Sequence, residues 1–196
     1  MKFRLLGLSV FAFLSCFTFV APTAFAVEEV KVVYQYAGNH GVDLSNFRGS
    51  FKINAFTDDR AGVDANLITD KDLGNSNASG GYQADSAITA LIQQAFEQGF
   101  ASGGTELVDA DASMSLSGKL LSTEAQIVER GGEQMIQLTL RVNVQLQKDG
   151  RNAWQITLFG RGRVPVADGM AASVQAALDR MVTELVIDDY FLQEVR

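Results

Sequence analysis

Alternating hydrophobic and polar residues mark one strand more clearly than any other segment. Over residues 135–147, apolar side chains occupy every second position and polar side chains occupy the positions between them. A period of two predicts a β-strand with one side on a core and the other in water. Further alternating runs over residues 113–128 and from Trp154 to near Pro165 flank it, with turn signals at Gly131-Gly132 and Asp149-Gly150. The pattern predicts a three-stranded antiparallel meander.

Two other segments follow the three-four spacing of an amphipathic helix. The first covers residues 84–101 and the second begins after Asp168. Short strands are predicted over residues 30–37 and 47–56, and residues 61–83 read as a long polar loop with a short strand near 67–69. The expected fold class is α+β: a mostly antiparallel sheet with two amphipathic helices packed on one face, forming a two-layer sandwich.

Residues 1–26 have the pattern of a secretory signal peptide. Lys2 and Arg4 precede an apolar run, and Ala24-Phe25-Ala26 forms a small-x-small exit. Cleavage after Ala26 is expected to leave a mature chain that begins at Val27 and forms a single α+β domain over residues 27–196. The leader therefore predicts an exported, periplasmic protein.

Cys16 leaves a second interpretation of the leader open. It follows the small residue Ser15, as the acylated cysteine of a bacterial lipoprotein does, but Phe17 continues the apolar run. Acylation would start the mature chain at Cys16 and associate the protein with the outer membrane. Membrane contact is expected only in that case.

Charge and composition exclude several classes of function. The whole chain has a formal net charge of −7, which becomes −9 when Lys2 and Arg4 leave with the leader. An acidic protein repels phosphate, so nucleic acid is not an expected partner. With Cys16 the only cysteine and His40 the only histidine, a Cys/His zinc site and a Cys–His nucleophile are excluded.

Other candidate residues each have a simpler structural interpretation. His40 is expected in a solvated turn. Residues 160–163 (Gly-Arg-Gly-Arg) could form an anion site, but they close a strand, and a bulged strand edge is expected instead. Asp58 and Asp59 could bind a divalent ion, but the spacing of a calcium loop is absent, and a strand-end salt bridge with Arg60 is expected instead. Glu124, Glu129 and Glu133 could act as an acid and base on sugars, but they flank a turn and are expected to be solvated. No catalytic residue, metal or cofactor is predicted.

The polar side of the alternating strand is the candidate binding surface. Its uncharged amides and hydroxyl could hydrogen-bond a glycan or a protein partner, although antiparallel sheets commonly leave one side solvated. The residues concerned are Gln137, Thr139, Arg141, Asn143 and Gln145.

Four features of the chain occur in one order: the exported leader, the strand end Phe56-Thr57-Asp58-Asp59-Arg60, the helix over residues 86–100, and the meander closing on the helix over residues 171–186. Together they resemble the YajG-like family of bacterial envelope lipoproteins. The resemblance implies a Gram-negative periplasmic or outer-membrane-associated protein, and it transfers no catalytic residue. The leader departs from the family pattern because it lacks a clear lipobox.

Three functional hypotheses follow. The leading one is a non-catalytic periplasmic protein that binds or scaffolds an envelope component, protein or glycan. The second is an auxiliary subunit of an envelope transport or assembly complex. The third is an enzyme that acts on cell-wall glycan through acidic residues. The sequence does not determine the oligomeric state.

Overall fold

The computed structural model describes residues 26–38 and 40–196, so Cys16 and Ala24 lie outside the described residues. Within that range the chain forms eight strands and three α-helices. In chain order they are β1 (Glu28–Val30), β2 (Phe51–Ile53), β3 (Thr57–Asp58), β4 (Leu67–Thr69), β5 (Tyr82–Ala84), α1 (Ile88–Ser102), β6 (Met114–Arg130), β7 (Glu133–Lys148), β8 (Arg151–Pro165), α2 (Gly169–Val186) and α3 (Asp189–Val195).

The α+β fold class is confirmed, with the long antiparallel meander β6-β7-β8 at its centre. The main sheet has the order β2-β6-β7-β8, and β3 also pairs with β6. The short strands depart from the antiparallel pattern, because β2 and β3 both run parallel to β6. A second small sheet, β1-β5-β4, takes two strands from the predicted polar loop: β4, expected near 67–69, and β5, which was not expected and overlaps the end of the loop.

Helices α1 and α2 cover one face of the main sheet. Phe100 of α1 stacks on Phe51 with ring centroids 5.1 Å apart, and Phe96 stacks on Phe56 at 5.5 Å. Helix α2 lies over β7 and β8. The apolar side of β7 is buried beneath the helices, as the alternating pattern predicts. None of the helices in the described range is long and apolar enough to cross a membrane.

A β-bulge in β6 changes which side chains face the core. Pairing with β7 shifts between Leu120 and Ser122, so two residues of β6 oppose one of β7. Before the bulge the even-numbered residues are buried, and after it the odd-numbered Ala125 is buried. The bulge therefore turns Ser122 and Glu124 to the side away from the helices.

The predicted strand over residues 30–37 is wrong beyond Val30. The side chains alternate as expected, with Tyr34 buried, but this segment has no strand partner in the described chain. Instead, the backbone N–H of Tyr36 donates to the Gln98 side chain, whose amide donates to the Tyr34 carbonyl. The segment is an extended strap held by helix side chains.

His40 is not in a solvated turn as expected, because it caps the end of α1. Its Nδ1 accepts a hydrogen bond from the Val42 N–H at 3.1 Å, so Nε2 carries the proton in the neutral ring. Nε2 lies 3.2 Å from the Gly99 carbonyl and 3.3 Å from Ser102 Oγ. The ring thus satisfies a helix-terminal carbonyl.

The strap is also tied to α2 by a hydrogen bond between Tyr34 and Asp179. Tyr34 Oη donates to Asp179 Oδ1 at 2.7 Å, and Tyr34 is only 2% exposed. Burial raises the pKa of the Asp179 carboxyl, against the opposing effect of the Tyr34 hydroxyl. Burial and the neighbouring Asp179 raise the pKa of Tyr34.

Asp179 is expected to make the protein less stable as the pH rises. The pKa of Asp179 is higher in the folded than in the unfolded chain. Its contribution to stability is therefore complete below the unfolded pKa of about 3.9 and is lost as the pH rises through the folded pKa. Asp179→Asn should flatten this slope, since its amide oxygen still accepts from Tyr34. Urea midpoints measured from pH 4 to 7 test this, with the exposed Asp189→Asn as control. An unchanged slope in Asp179→Asn would contradict it.

Candidate functional site

The side of the meander that faces away from the helices carries mostly polar side chains, and we call it the open face. Cross-strand pairing aligns its side chains in rows of three, one from each strand. The open face comprises Ser115, Ser117, Lys119, Ser122, Glu124, Gln126, Gln137, Thr139, Arg141, Asn143, Gln145, Gln147, Asn152, Gln155, Thr157, Phe159, Arg161 and Arg163.

The open face has a charge opposite to that of the protein. It carries four cationic side chains, Lys119, Arg141, Arg161 and Arg163, and one carboxylate, Glu124. Its formal charge is therefore +3, in a chain whose net charge is −7. A cationic surface on an acidic protein favours an anionic partner.

One half of the open face is occupied by hydrogen bonds between its own side chains. Gln155 Nε2 donates to Asn143 Oδ1 at 2.9 Å, and Asn143 Nδ2 donates to Thr157 Oγ1 at 3.3 Å. Asn152 Nδ2 donates to Gln155 Oε1 at 3.2 Å. These amides hold one another in place across β7 and β8.

The other half contains a concave site of about 360 Å³ that we call the basic cleft. Its charged side chains are Lys71, from the loop between β4 and β5, Glu124 of β6, Arg141 of β7 and Arg161 of β8. Uncharged polar residues and one exposed aromatic ring, Phe159, complete it. The remaining lining residues are Ser122, Ala125, Gln126, Gln137 and Thr139.

The sequence-predicted binding residues lie together on the open face. Gln137, Thr139 and Arg141 line the basic cleft, whereas Asn143 and Gln145 lie in the other half. Whether these residues bind a partner stays a prediction.

Sequence reasoning did not assign the cleft residues outside β7 to the binding surface, although Glu124 and residues 160–163 were considered for other sites. Phe159 and Arg161 alternate with Leu158 and Gly160, so period two in β8 could have found them. No pattern in the loop marks Lys71.

Arg60 has a structural role and forms the strand-end salt bridge that was predicted from the sequence. Its Nε and Nη2 form a fork on the Asp58 carboxylate, at 2.9 Å and 2.7 Å. Nη1 donates to the Leu67 carbonyl and to Thr123 Oγ1, and Nη2 also donates to the Asp64 carbonyl. Arg60 thereby fixes the start of the polar loop to β6. The hydrogen bond from Arg60 holds the pKa of Asp58 below its usual range.

The acidic residues considered for catalysis do not form a pair. Glu124 and Glu129 are five positions apart on β6, or about 16 Å along a strand, whereas glycosidase carboxyl groups are about 5–9.5 Å apart. Glu133 pairs with Arg130 rather than Glu129 across the turn. Within residues 26–38 and 40–196, no group of three or more His, Cys, Asp or Glu side chains could hold a metal ion.

Comparisons with known proteins identify the fold but not a family. No protein-family model matches the chain, and no curated protein matches it. Among solved structures, it is similar to a Xanthomonas campestris protein described under the family model DUF330, with a TM-score of 0.61 and 16% sequence identity. That match covers 85% of this chain and 97% of the Xanthomonas protein, and shows a shared fold.

A minor lipoprotein from Acinetobacter baumannii is a more distant neighbour. Its TM-score is 0.40 at 12% identity, with 54% of this chain and 87% of the lipoprotein covered. At that score the likeness is too weak to show a common fold. The structural neighbours include proteins described as lipoproteins. These neighbours do not confirm the YajG-like resemblance.

Proposed function

We propose that this chain is an exported, non-catalytic envelope protein that binds an anionic envelope component through its open face. The observation that carries the proposal is the charge of that face, +3 on a chain of net charge −7. The helices cover the opposite face, so the open face is the side of the sheet available to a partner.

The leader supports the proposed location in the cell envelope. The signal pattern of residues 1–26 supports a periplasmic location, and acylation at Cys16 would attach the protein to the outer membrane. The YajG-like resemblance agrees with both, and it remains part of the proposal. The distance between Glu124 and Glu129 along β6 favours binding over glycan hydrolysis.

Adding carboxylates to the open face is expected to reduce partner capture. The full chain carrying Gln145→Glu and Gln147→Glu should retain about tenfold less envelope component than wild type, since like charges repel across an interface. The measurement is affinity capture from detergent-solubilised envelope fractions, with mass spectrometry and glycan analysis of the retained material.

A matched control adds two carboxylates to the helices instead of the open face. Gln94→Glu with Gln193→Glu alters exposed residues of α1 and α3 and should leave capture unchanged. Equal losses in both variants would show that overall charge, rather than the open face, governs capture. Retention of no component by the wild type would also contradict the proposal.

A further inference from the structure

The cations of the basic cleft form no ion pair with a described carboxylate, in contrast to Lys119 of the open face. Lys119 Nζ lies 3.7 Å from Asp59 Oδ2, and Arg163 donates to Gln137 Oε1. No described carboxylate lies within ion-pair distance of Lys71, Arg141 or Arg161. With Glu124 counted, the three cations leave the cleft a formal charge of +2 in a chain that has 23 acidic residues, which points to an anion from outside the protein.

The positions of the two arginines suit one small anionic group. Arg161 lies opposite Thr139 and Arg141 lies opposite Phe159, so the arginines are diagonal neighbours on adjacent strands. Such neighbours are about 7–8 Å apart at their Cα atoms, a span that two long side chains can close on one ligand. A guanidinium fork binds phosphate or carboxylate with two parallel hydrogen bonds.

The rest of the lining suits a ligand rich in hydroxyl groups. Ser122 and Thr139 supply hydroxyls, and Gln126 supplies an amide that both donates and accepts. The exposed ring of Phe159, with the Arg141 guanidinium carbon 5.9 Å from its centroid, offers a small apolar platform. An acyl chain needs a predominantly apolar lining, which this cleft lacks.

We propose that the basic cleft binds an acidic sugar, a hexose that carries a phosphate or carboxylate group. Arg141 and Arg161 hold the anionic group, Lys71 adds long-range attraction, and the Ser122, Thr139 and Gln126 side chains hydrogen-bond the sugar hydroxyls. The cleft volume of about 360 Å³ lies within the range of about 300–1,000 Å³ for small-ligand sites. This inference rests on the proposed function and assigns the anionic component a chemical class.

Calorimetric titration of the full chain tests the assignment with four probes. Glucose 1-phosphate and glucuronic acid are expected to bind at least tenfold more tightly than glucose or inorganic phosphate. Glucose 1-phosphate binding should weaken at higher salt, since exposed cations are screened. Arg161→Gln should weaken it about tenfold or more, because charge-assisted hydrogen bonds are lost.

Arg151→Gln is the matched control, because it removes the same charge from the same strand but lies outside both the cleft and the open face. It should change binding less than twofold. Both arginines are exposed, so the urea midpoints of the two variants are expected to match wild type and exclude misfolding. Equal losses in Arg161→Gln and Arg151→Gln would overturn the assignment to this cleft.

Two other outcomes would overturn the sugar assignment itself. Inorganic phosphate binding as tightly as glucose 1-phosphate would show an anion site without sugar recognition. Binding only to vesicles that contain phosphatidylglycerol, with none to either acidic sugar, would assign the cleft to a lipid surface. If neither acidic sugar binds but the Gln145→Glu and Gln147→Glu changes still reduce capture, the sugar assignment fails and the proposed function survives. If neither acidic sugar binds and these changes leave capture unaltered, both the sugar assignment and the proposed function are refuted.

Discussion

Arg60→Met is expected to lower the free energy of unfolding by about 3–4 kcal/mol, as breaking one partner of a buried ion pair does. The side chain of Arg60 is 4% exposed and that of Asp58 is 19% exposed. Methionine fills a similar volume but donates no hydrogen bond. The Asp58 carboxylate and the Leu67 and Asp64 carbonyls would therefore lose the guanidinium N–H groups at once, and Asp58 would keep the backbone N–H of residue 60.

Urea denaturation measures this loss, and Lys119→Met is the matched control. Lys119 and Asp59 form an ion pair on the same part of the sheet, but their side chains are 54% and 53% exposed. An exposed pair contributes about 0–1 kcal/mol, so the control should stay near wild type. Similar losses of unfolding free energy in the two variants would contradict the prediction, because the Arg60 hydrogen bonds would then contribute no more than an exposed ion pair.

The loss caused by Arg60→Met should also depend on pH. Arg60 lowers the pKa of Asp58 in the folded chain, so this carboxylate stabilises the fold above its unfolded pKa of about 3.9. That stability is lost as the pH falls through the lowered folded pKa. The difference between wild type and variant should therefore be largest near neutral pH and shrink in acid, which unfolding curves at several pH values would show.

The parts of the fold that follow a single period could be predicted from the sequence. β7 keeps period two throughout, and α1 and α2 keep one apolar stripe each, so burial alone determines their orientation. Asp149-Gly150 closes a hairpin as expected, because both residues adopt positive φ there.

The features that were missed depend on contacts between distant segments. The bulge at Leu120–Ser122 shifts the phase of β6, and its consequence appears only when β6 pairs with β7. Strand-like alternation in residues 30–37 gave the right side-chain directions, but Gln98 and Asp85 bind the backbone instead of another strand. The same limit applies to the candidate site. The cleft residues on β7 were predicted from the alternating pattern. Lys71 was not, because it lies on a loop that reaches the cleft only in the folded chain.

Residues 160–163 show how a local motif was misinterpreted. The strand β8 does form an edge of the sheet, but its bulge lies between Asn152 and Trp154 rather than at Gly160 or Gly162. Both glycines face α2, and a Cβ added at Gly160 would lie 2.5 Å from the Ala177 carbonyl oxygen. The glycines therefore let the helix backbone approach the strand, while Arg161 between them points to the open face.

Gly162→Ala is accordingly expected to destabilise the fold by about 3 kcal/mol, at the upper end of overpacking effects. The new Cβ would lie 2.1 Å from the Ser173 carbonyl oxygen and 2.6 Å from the Ala177 nitrogen. Both are backbone atoms, so α2 itself must move. Intrinsic propensity predicts the opposite sign, since alanine in a regular strand is favoured over glycine by about 0.5–1 kcal/mol.

Gly62→Ala separates this steric effect from ordinary backbone strain. Gly62 has a φ of +70° and no heavy atom within 4 Å of its added Cβ, so only its left-handed conformation opposes alanine. Its expected cost is about 1–2 kcal/mol. Urea unfolding curves should therefore place Gly162→Ala below Gly62→Ala in stability. A stabilised Gly162→Ala would mean that α2 does not rest against β8 at this point, and that the edge of the sheet bearing Arg161 is free to move.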